Sequence, residues 1–200
     1  MAVRKKRVLG SLVSLTYDAD PQIRWRAVEA VGAAASRVAV DDPDQVREHL
    51  RRLSWLMNEE SGSVCWHAPE AMAEIVRHEP EMFAEYIPIV VFLIESLAEE
   101  DLEHFRAGTL WAIGRLGAVA GEHVRDVTPA VTSALGDSDP QVRGMAVWCL
   151  NEVGGVDLLA DQPELLSDEG PVDLYENGQL VRTTVSHLAE RARTSGSGGR

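Results

Sequence analysis

The stretch LTYDADPQIRWRAVEAVG, residues 15–32, recurs three more times along this chain in altered form. The other copies read LMNEESGSVCWHAPEAMA (56–73), LAEEDLEHFRAGTLWAIG (97–114) and LGDSDPQVRGMAVWCLN (135–151). Aligned on one central position, successive copies lie 41, 41 and 37 residues apart. A period near 40 residues with two apolar helical segments per unit is typical of a helical solenoid. The repeat therefore predicts an all-α architecture of about four stacked helix pairs.

The apolar spacing within each repeat predicts where its two helices lie. The first helices of the pairs are expected near residues 3–16, 43–57, 84–98 and 122–135. The second helices are expected near residues 21–37, 62–77, 102–118 and 140–154. Asp-Pro pairs at 20–21, 42–43 and 139–140 support these starts, because an acidic N-cap followed by proline favours the first helical turn.

The repeat pattern stops after residue 155, so we expect a solenoid over residues 1–155 followed by a different structure. Asn177-Gly178 lies between alternating apolar residues, which is a strong signal for a two-residue β-hairpin turn. Thr184 then predicts the N-cap of a short amphipathic helix. Because a solenoid end exposes an apolar flank, residues 156–193 are predicted to form a small hairpin-plus-helix cap. Residues 194–200 are predicted to be a disordered tail.

Two of the motifs resemble a known repeat family. Residues 20–24 read DPQIR and residues 139–143 read DPQVR, and each is followed by an alanine, Ala27 or Ala146. They resemble the HEAT-like repeat in the form shared with phycobilisome lyases, over about residues 10–155. The resemblance implies a right-handed α-solenoid that serves mainly as a protein-binding scaffold, with a few enzymes among its members. The second copy departs most, with Cys65 in place of arginine and Pro69 inside its expected helix.

Composition restricts the classes of partner. The chain carries 32 acidic against 19 basic residues, a net charge of −13, which argues against a nucleic-acid backbone as ligand. It favours basic or cationic partners. No run approaches 18 uncharged apolar residues, so no membrane span is expected. The basic cluster at residues 4–7 precedes no recognisable cleavage site, which indicates a cytoplasmic protein. Cys65 and Cys149 lie in different repeats, and we expect two free thiols.

The strongest candidate site is a stripe of tryptophans. On a helical wheel of about 100° per residue, one tryptophan from each second helix projects opposite the core side. The four are Trp25, Trp66, Trp111 and Trp148. The aligned positions carry small residues or the carboxylates Glu29 and Glu70. One interpretation is an open groove on the concave face that binds a partner, since exposed apolar patches and tryptophans favour interfaces. The other is that neighbouring repeats or the C-terminal hairpin cover the rings.

The second repeat adds a polar stripe beside its tryptophan. His67, Glu70, Glu74 and His78 share one side of the predicted helix. We interpret Glu70 and Glu74 as recognition groups for a cationic or hydrogen-bonding ligand, and Arg115 of the next repeat as a neutralising partner for Glu74. A single-helix stripe seldom makes a metal site, so none is assigned. An interior proline at position 69 would cost roughly 3 kcal/mol, and such local conflicts often lie at functional sites.

The residues therefore favour a non-enzymatic adaptor that binds a protein or peptide, with no cofactor. The alternative is a small-molecule site, for which the resemblance to bilin lyases suggests a tetrapyrrole. No nucleophile–base constellation or phosphate-binding loop is recognisable, so no catalytic residue is assigned.

Overall fold

The computed structural model describes residues 2–57, 67–97 and 105–197, with side chains from residue 7 to residue 195. The fold is mostly helical, and its elements follow the predicted pairs closely. They are α1 (Ala2–Leu15), α2 (Pro21–Ala39), α3 (Pro43–Met57), α4 (Ala68–His78), α5 (Ile87–Ser96), α6 (Arg106–Leu116), α7 (His123–Ser133), α8 (Pro140–Glu152), β1 (Pro171–Glu176), β2 (Gln179–Thr184) and α9 (Val185–Ser197).

The helices form two layers. In the inner layer α2 packs on α4, α4 on α6, and α6 on α8, so the second helices stack in chain order. The first helices α1, α3, α5 and α7 pack behind them and form the outer layer. The core lies between the layers and is built from aliphatic side chains such as Val31, Leu50, Ile75 and Val90, which are buried. This arrangement leaves the opposite face of the inner layer, here called the inner face, for other contacts.

The acidic caps predicted from the Asp-Pro pairs are present. Asp20 accepts a hydrogen bond from the backbone N–H of Gln22 at 2.8 Å, and Asp139 accepts the equivalent bond from Gln141 at 2.9 Å. Each cap satisfies an amide that has no partner within the first helical turn. The sequence signal thus places the N-termini of α2 and α8, which lie at one edge of the inner face.

The expectation that Pro69 interrupts a helix is wrong. Helix α4 begins at Ala68, with His67 as its N-cap, so Pro69 lies in the first turn. Amides of the first turn have no intrahelical acceptor, and a proline there loses no hydrogen bond. The predicted early part of this helix, residues 62–66, lies outside the described residues.

The C-terminal hairpin is confirmed. Strands β1 and β2 pair antiparallel, with Glu176 opposite Gln179 across a two-residue turn. Asn177 and Gly178 have positive φ angles of 52° and 73°, as such a turn requires. Thr184 caps α9 by accepting a hydrogen bond from the backbone N–H of His187 at 3.2 Å.

Helix α9 continues through Ser197, so its last four residues fall within the segment for which a disordered tail was predicted. The hydroxyls of Thr194 and Ser195 donate to the carbonyl of Arg191 at 2.7 and 3.1 Å, which satisfies polar groups within the helix. Residues 198–200 lie outside the described part.

Within the described part of the chain, no helix is long and apolar enough to cross a membrane. Cys149 is a free, buried thiol, as expected, while Cys65 falls in the undescribed segment 58–66.

Candidate functional site

Three of the four predicted tryptophans form a continuous row on the inner face. The ring centroids of Trp25 and Trp111 are 4.7 Å apart, and those of Trp111 and Trp148 are 6.2 Å apart with nearly parallel planes. Helices α2, α6 and α8 each supply one ring. The three rings lie on one surface, as the helical wheel predicted. Trp66 lies in the segment that is not described.

The C-terminal hairpin covers much of this row. Tyr175 of β1 stacks on Trp25 with centroids 5.4 Å apart, and its backbone carbonyl accepts a hydrogen bond from Trp111 Nε1 at 3.0 Å. Trp111 is 0% exposed and Trp148 is 4% exposed, whereas Trp25 is half-buried. The interpretation that neighbouring repeats or the hairpin cover the rings is therefore correct for two of them: Tyr175 of the hairpin contacts Trp111, and Trp148 packs against Trp111 and Gly114 of α6. The expected open groove of four indoles is not present there.

Because Gly144 has no side chain, strand β1 of the hairpin can pack closely against α8. A Cβ atom at Gly144 of α8 would overlap the methyl groups of Val172 on β1. Val172 is fully buried and packs with the core. Position 144 aligns with Trp25 and Trp66 in the repeat, so a tryptophan there would exclude the hairpin. The small residue at this position is what makes room for the strand.

Two glutamines, which the sequence reasoning missed, hold the hairpin strands by their backbone. The side-chain amide of Gln22 donates to the carbonyl of Gly178 at 3.0 Å and accepts from the amide of Leu180 at 2.8 Å. Gln141 makes the same pair of bonds with the carbonyl and amide of Asp173, at 3.0 and 2.8 Å. The sequence feature that could have identified these glutamines is their shared position in the repeat, because each directly follows an Asp-Pro pair.

Glu29 is half-buried, and its carboxylate is bonded to the hairpin. Its carboxylate accepts a hydrogen bond from the hydroxyl of Tyr175 at 2.7 Å. Burial of the phenol, together with this bond to a negative partner, raises the pKa of Tyr175 well above its ordinary value of 10.0. Glu29, predicted as a binding residue, thus holds the cover in place.

Glu74 is a buried carboxylate that the protein neutralises itself. It is 0% exposed, and Arg115 approaches its Oε1 at 2.6 Å, as the sequence predicted. Arg77 approaches the other oxygen at 3.3 Å. The Arg115 guanidinium also lies 5.3 Å from the ring of Trp111, which is a favourable cation–π distance. Both oxygens of Glu74 are therefore engaged inside the fold.

Glu70, one helical turn earlier, is buried without such compensation. It is 2% exposed, and its Oε1 lies 3.0 Å from Nδ1 of His67. Its Oε2 has no hydrogen-bond partner among the described residues. A Cβ atom at Gly108 of α6 would overlap this carboxylate, so the acid lies directly against the glycine backbone.

Glu70 lines a cavity of about 520 Å³ at the edge of the inner face where α2, α6 and α8 begin. Trp25, Trp111 and Gly108 also line it. The other lining residues are Thr16, Tyr17, Arg24, His67, Phe105, Ala107, Gln141 and Met145. This volume, here called the Glu70 cavity, combines indole surface with a buried carboxylate, and it borders the hairpin through Gln141.

Comparison with known proteins agrees with the repeat architecture. Residues 103–153, which include α6, α7 and α8, match the family described as HEAT-like repeat. The chain carries a HEAT-like repeat. An uncharacterized protein of Archaeoglobus fulgidus is 29% identical over 184 residues, covering 88% of this chain and 91% of that protein. The resemblance predicted from the DPQ motifs is thus confirmed at the level of the HEAT-like repeat.

The inner helices bring most of the predicted site residues into one neighbourhood, but in different roles. Glu29, Glu74 and Arg115 make internal bonds, and two tryptophans are covered. Within the described ranges, no group of three or more His, Cys, Asp or Glu residues is arranged to hold a metal ion. Cys149 is a poor nucleophile, since burial raises the pKa of its thiol to about 12. The chemistry that this site offers is recognition by an aromatic surface and one uncompensated carboxylate.

Proposed function

We propose that the protein is a non-enzymatic HEAT-like repeat scaffold that binds a partner polypeptide at the Glu70 cavity. The observation that carries this proposal is the cavity itself, about 520 Å³ lined by Trp25, Trp111 and the buried Glu70. Tryptophan surface around a few placed polar groups is characteristic of binding sites. The proposal narrows the predicted four-indole groove to the part that the hairpin leaves uncovered.

The hairpin supports the view that this face suits polypeptide ligands. Gln22 and Gln141 each bond one amide and one carbonyl of a strand, which is how a protein surface holds an extended peptide irrespective of its side chains. Tyr175 adds a side-chain anchor by stacking on Trp25. The inner face thus already binds one extended strand, which supports a polypeptide as the class of ligand for the cavity beside that strand.

A small molecule is the second candidate, because the cavity volume falls within the range of small-molecule sites. A tetrapyrrole needs a broad aromatic surface, but the hairpin contacts Trp111, and both Trp111 and Trp148 are buried. The cavity therefore favours a smaller occupant over a macrocycle. The cytoplasmic location stays a prediction.

Occlusion of the cavity tests the proposal. Ala107 lines the cavity, so Ala107→Phe should fill it without changing charge, whereas Ala118→Phe places the same ring at an exposed position that does not line it. Immobilised wild-type protein and Ala118→Phe should retain a common partner from lysate of the source cells, and Ala107→Phe should lose it while keeping its helical circular dichroism. A partner that a folded Ala107→Phe still binds would contradict the proposal. An absorbance band above 350 nm in the purified protein would favour the tetrapyrrole instead.

A further inference from the structure

We infer that the Glu70 cavity takes a cationic side chain, arginine or lysine, from the partner polypeptide. This inference rests on the proposed function and adds the chemistry of the group that is bound. Glu70 would pair with the cation, and the indole of Trp25 would pack against its side chain.

The argument starts from the contrast between two carboxylates on α4. Glu74 is 0% exposed and has Arg115 at 2.6 Å and Arg77 at 3.3 Å. Glu70 is 2% exposed and has only the imidazole of His67 on one oxygen, among the residues that the structure describes. Burying a charge without a full set of partners is costly, so a site of this kind favours a ligand that supplies them.

The neighbouring helix explains the difference. To Glu74, α6 presents the guanidinium of Arg115, but to Glu70 it presents Gly108, which has no side chain. Glu70 packs directly against Gly108, so α6 supplies no cation to it, whereas α6 supplies Arg115 to Glu74. Glu70 and Gly108 both line the cavity, so a cation that enters the cavity can approach the carboxylate there.

The remaining walls suit a cation. The half-buried Trp25 lines the same cavity, and an indole attracts ammonium and guanidinium groups. Arg24 is a lining cation, but its Nη1 donates to the carbonyls of Asp18 and Ala19 at 2.8 and 3.3 Å, which holds it at the turn before α2. The net charge of −13 adds a long-range attraction for basic segments.

The test compares two blocked tripeptides, acetyl-Gly-Arg-Gly-amide and its citrulline analogue, which has the same shape without the charge. Binding is followed by NMR titration of the indole N–H signals. Because charge-assisted hydrogen bonds are the strong ones, we expect the arginine peptide to bind wild-type protein about tenfold or more tighter than the citrulline peptide. This ratio should fall to near one in Glu70→Gln and stay unchanged in Glu190→Gln, a control on the exposed side of α9.

Thermal unfolding provides an independent readout. Glu70→Gln should unfold at the same temperature as wild type or higher, since it removes an uncompensated charge, whereas Glu74→Gln should unfold at a lower temperature. Equal binding of the two peptides, absence of binding by either, or a Glu70→Gln variant destabilised like Glu74→Gln would each overturn the inference. A partner that is lost in Ala107→Phe but retained by Glu70→Gln would overturn it while leaving the scaffold function standing.

Discussion

The close contact between α8 and the hairpin predicts opposite effects for the same substitution at two glycines. Gly144→Ala adds a methyl group where the side chain of Val172 already lies, whereas Gly10→Ala adds one where no atom lies within 4 Å. Gly10 is in α1 and exposed, so its replacement should stabilise the protein through helix propensity alone. Gly144→Ala gains the same free energy from helix propensity, but its added methyl group must also displace β1.

The magnitudes separate the two variants. A glycine in a helix costs roughly 0.5–1 kcal/mol relative to alanine, and this is the expected gain for Gly10→Ala. Overpacking a filled core costs typically 1–3 kcal/mol, and Val172 cannot rotate away cheaply because a β-branched side chain has few allowed rotamers. Gly144→Ala should therefore be less stable than Gly10→Ala by about 1–3 kcal/mol.

Equilibrium urea unfolding followed by circular dichroism measures this difference. Tryptophan emission provides the local signal, because displacement of the hairpin uncovers Trp25 and Trp111 and should shift emission to longer wavelength in Gly144→Ala. Truncating the opposing side chain should relieve the strain, so Gly144→Ala should be less harmful in a Val172→Ala background. If Gly144→Ala stabilises the protein as much as Gly10→Ala does, the hairpin does not pack on α8 as described.

Three further predictions concern buried ionisable groups. Arg115→Ala should lower the free energy of unfolding by about 3 kcal/mol in urea titrations, because it leaves the buried Glu74 undercompensated. In a Cys65→Ala background, the Cys149 thiol should react with iodoacetamide at pH 8 only after unfolding, since a pKa near 12 leaves almost no thiolate. Burial, aided by a nearby positive charge, lowers the pKa of His49 from 6.5 to about 4, so stability should fall as pH drops from 6.5 to 4 and fall less in His49→Gln.

Two of these predictions have a matched control variant. Arg51→Ala removes an exposed ion pair with Glu48 and should change the free energy of unfolding by less than about 1 kcal/mol. An equal loss in Arg51→Ala and Arg115→Ala would contradict the role assigned to burial. Rapid alkylation of native Cys149 would show that the α6–α8 interface opens readily. The sign at His49 follows because the unfolded chain takes up a proton that the folded imidazole does not, and replacement of the exposed His187 should leave the pH profile unchanged.

Features repeated along the chain were predictable from sequence. The 3.6-residue period and the Asp-Pro caps placed α2 and α8 to within two residues at each end, and the same period put Trp25, Trp111 and Trp148 on one face. These properties depend on neighbours within one helix or one repeat. Local pattern is sufficient for them.

Contacts between distant segments were not predictable in the same way. The wheel shows that Trp111 projects from the inner face, but nothing local states that the carbonyl of Tyr175 will accept its N–H. The error at Pro69 has a different origin. The alignment to the other repeats placed the helix start at residue 62, whereas α4 begins at Ala68. Gly144 was interpreted as a small position in the repeat of Trp148, and Gly108 was not singled out; the residues they contact, Val172 and Glu70, were visible only in three dimensions.

The hydrogen bonds from Gln22 and Gln141 to the hairpin change how the repeat array should unfold. A solenoid usually behaves as a linear stack whose end units fray independently. Here Gln22 of the first repeat is hydrogen-bonded to Leu180, 158 residues later. Gln141 of the last repeat is hydrogen-bonded to Asp173 of the same hairpin. The strand pair therefore connects both ends of the stack, so that neither terminal repeat can open without breaking its bonds to the hairpin. During synthesis the first repeat must wait for almost the entire chain to emerge before its inner face is complete.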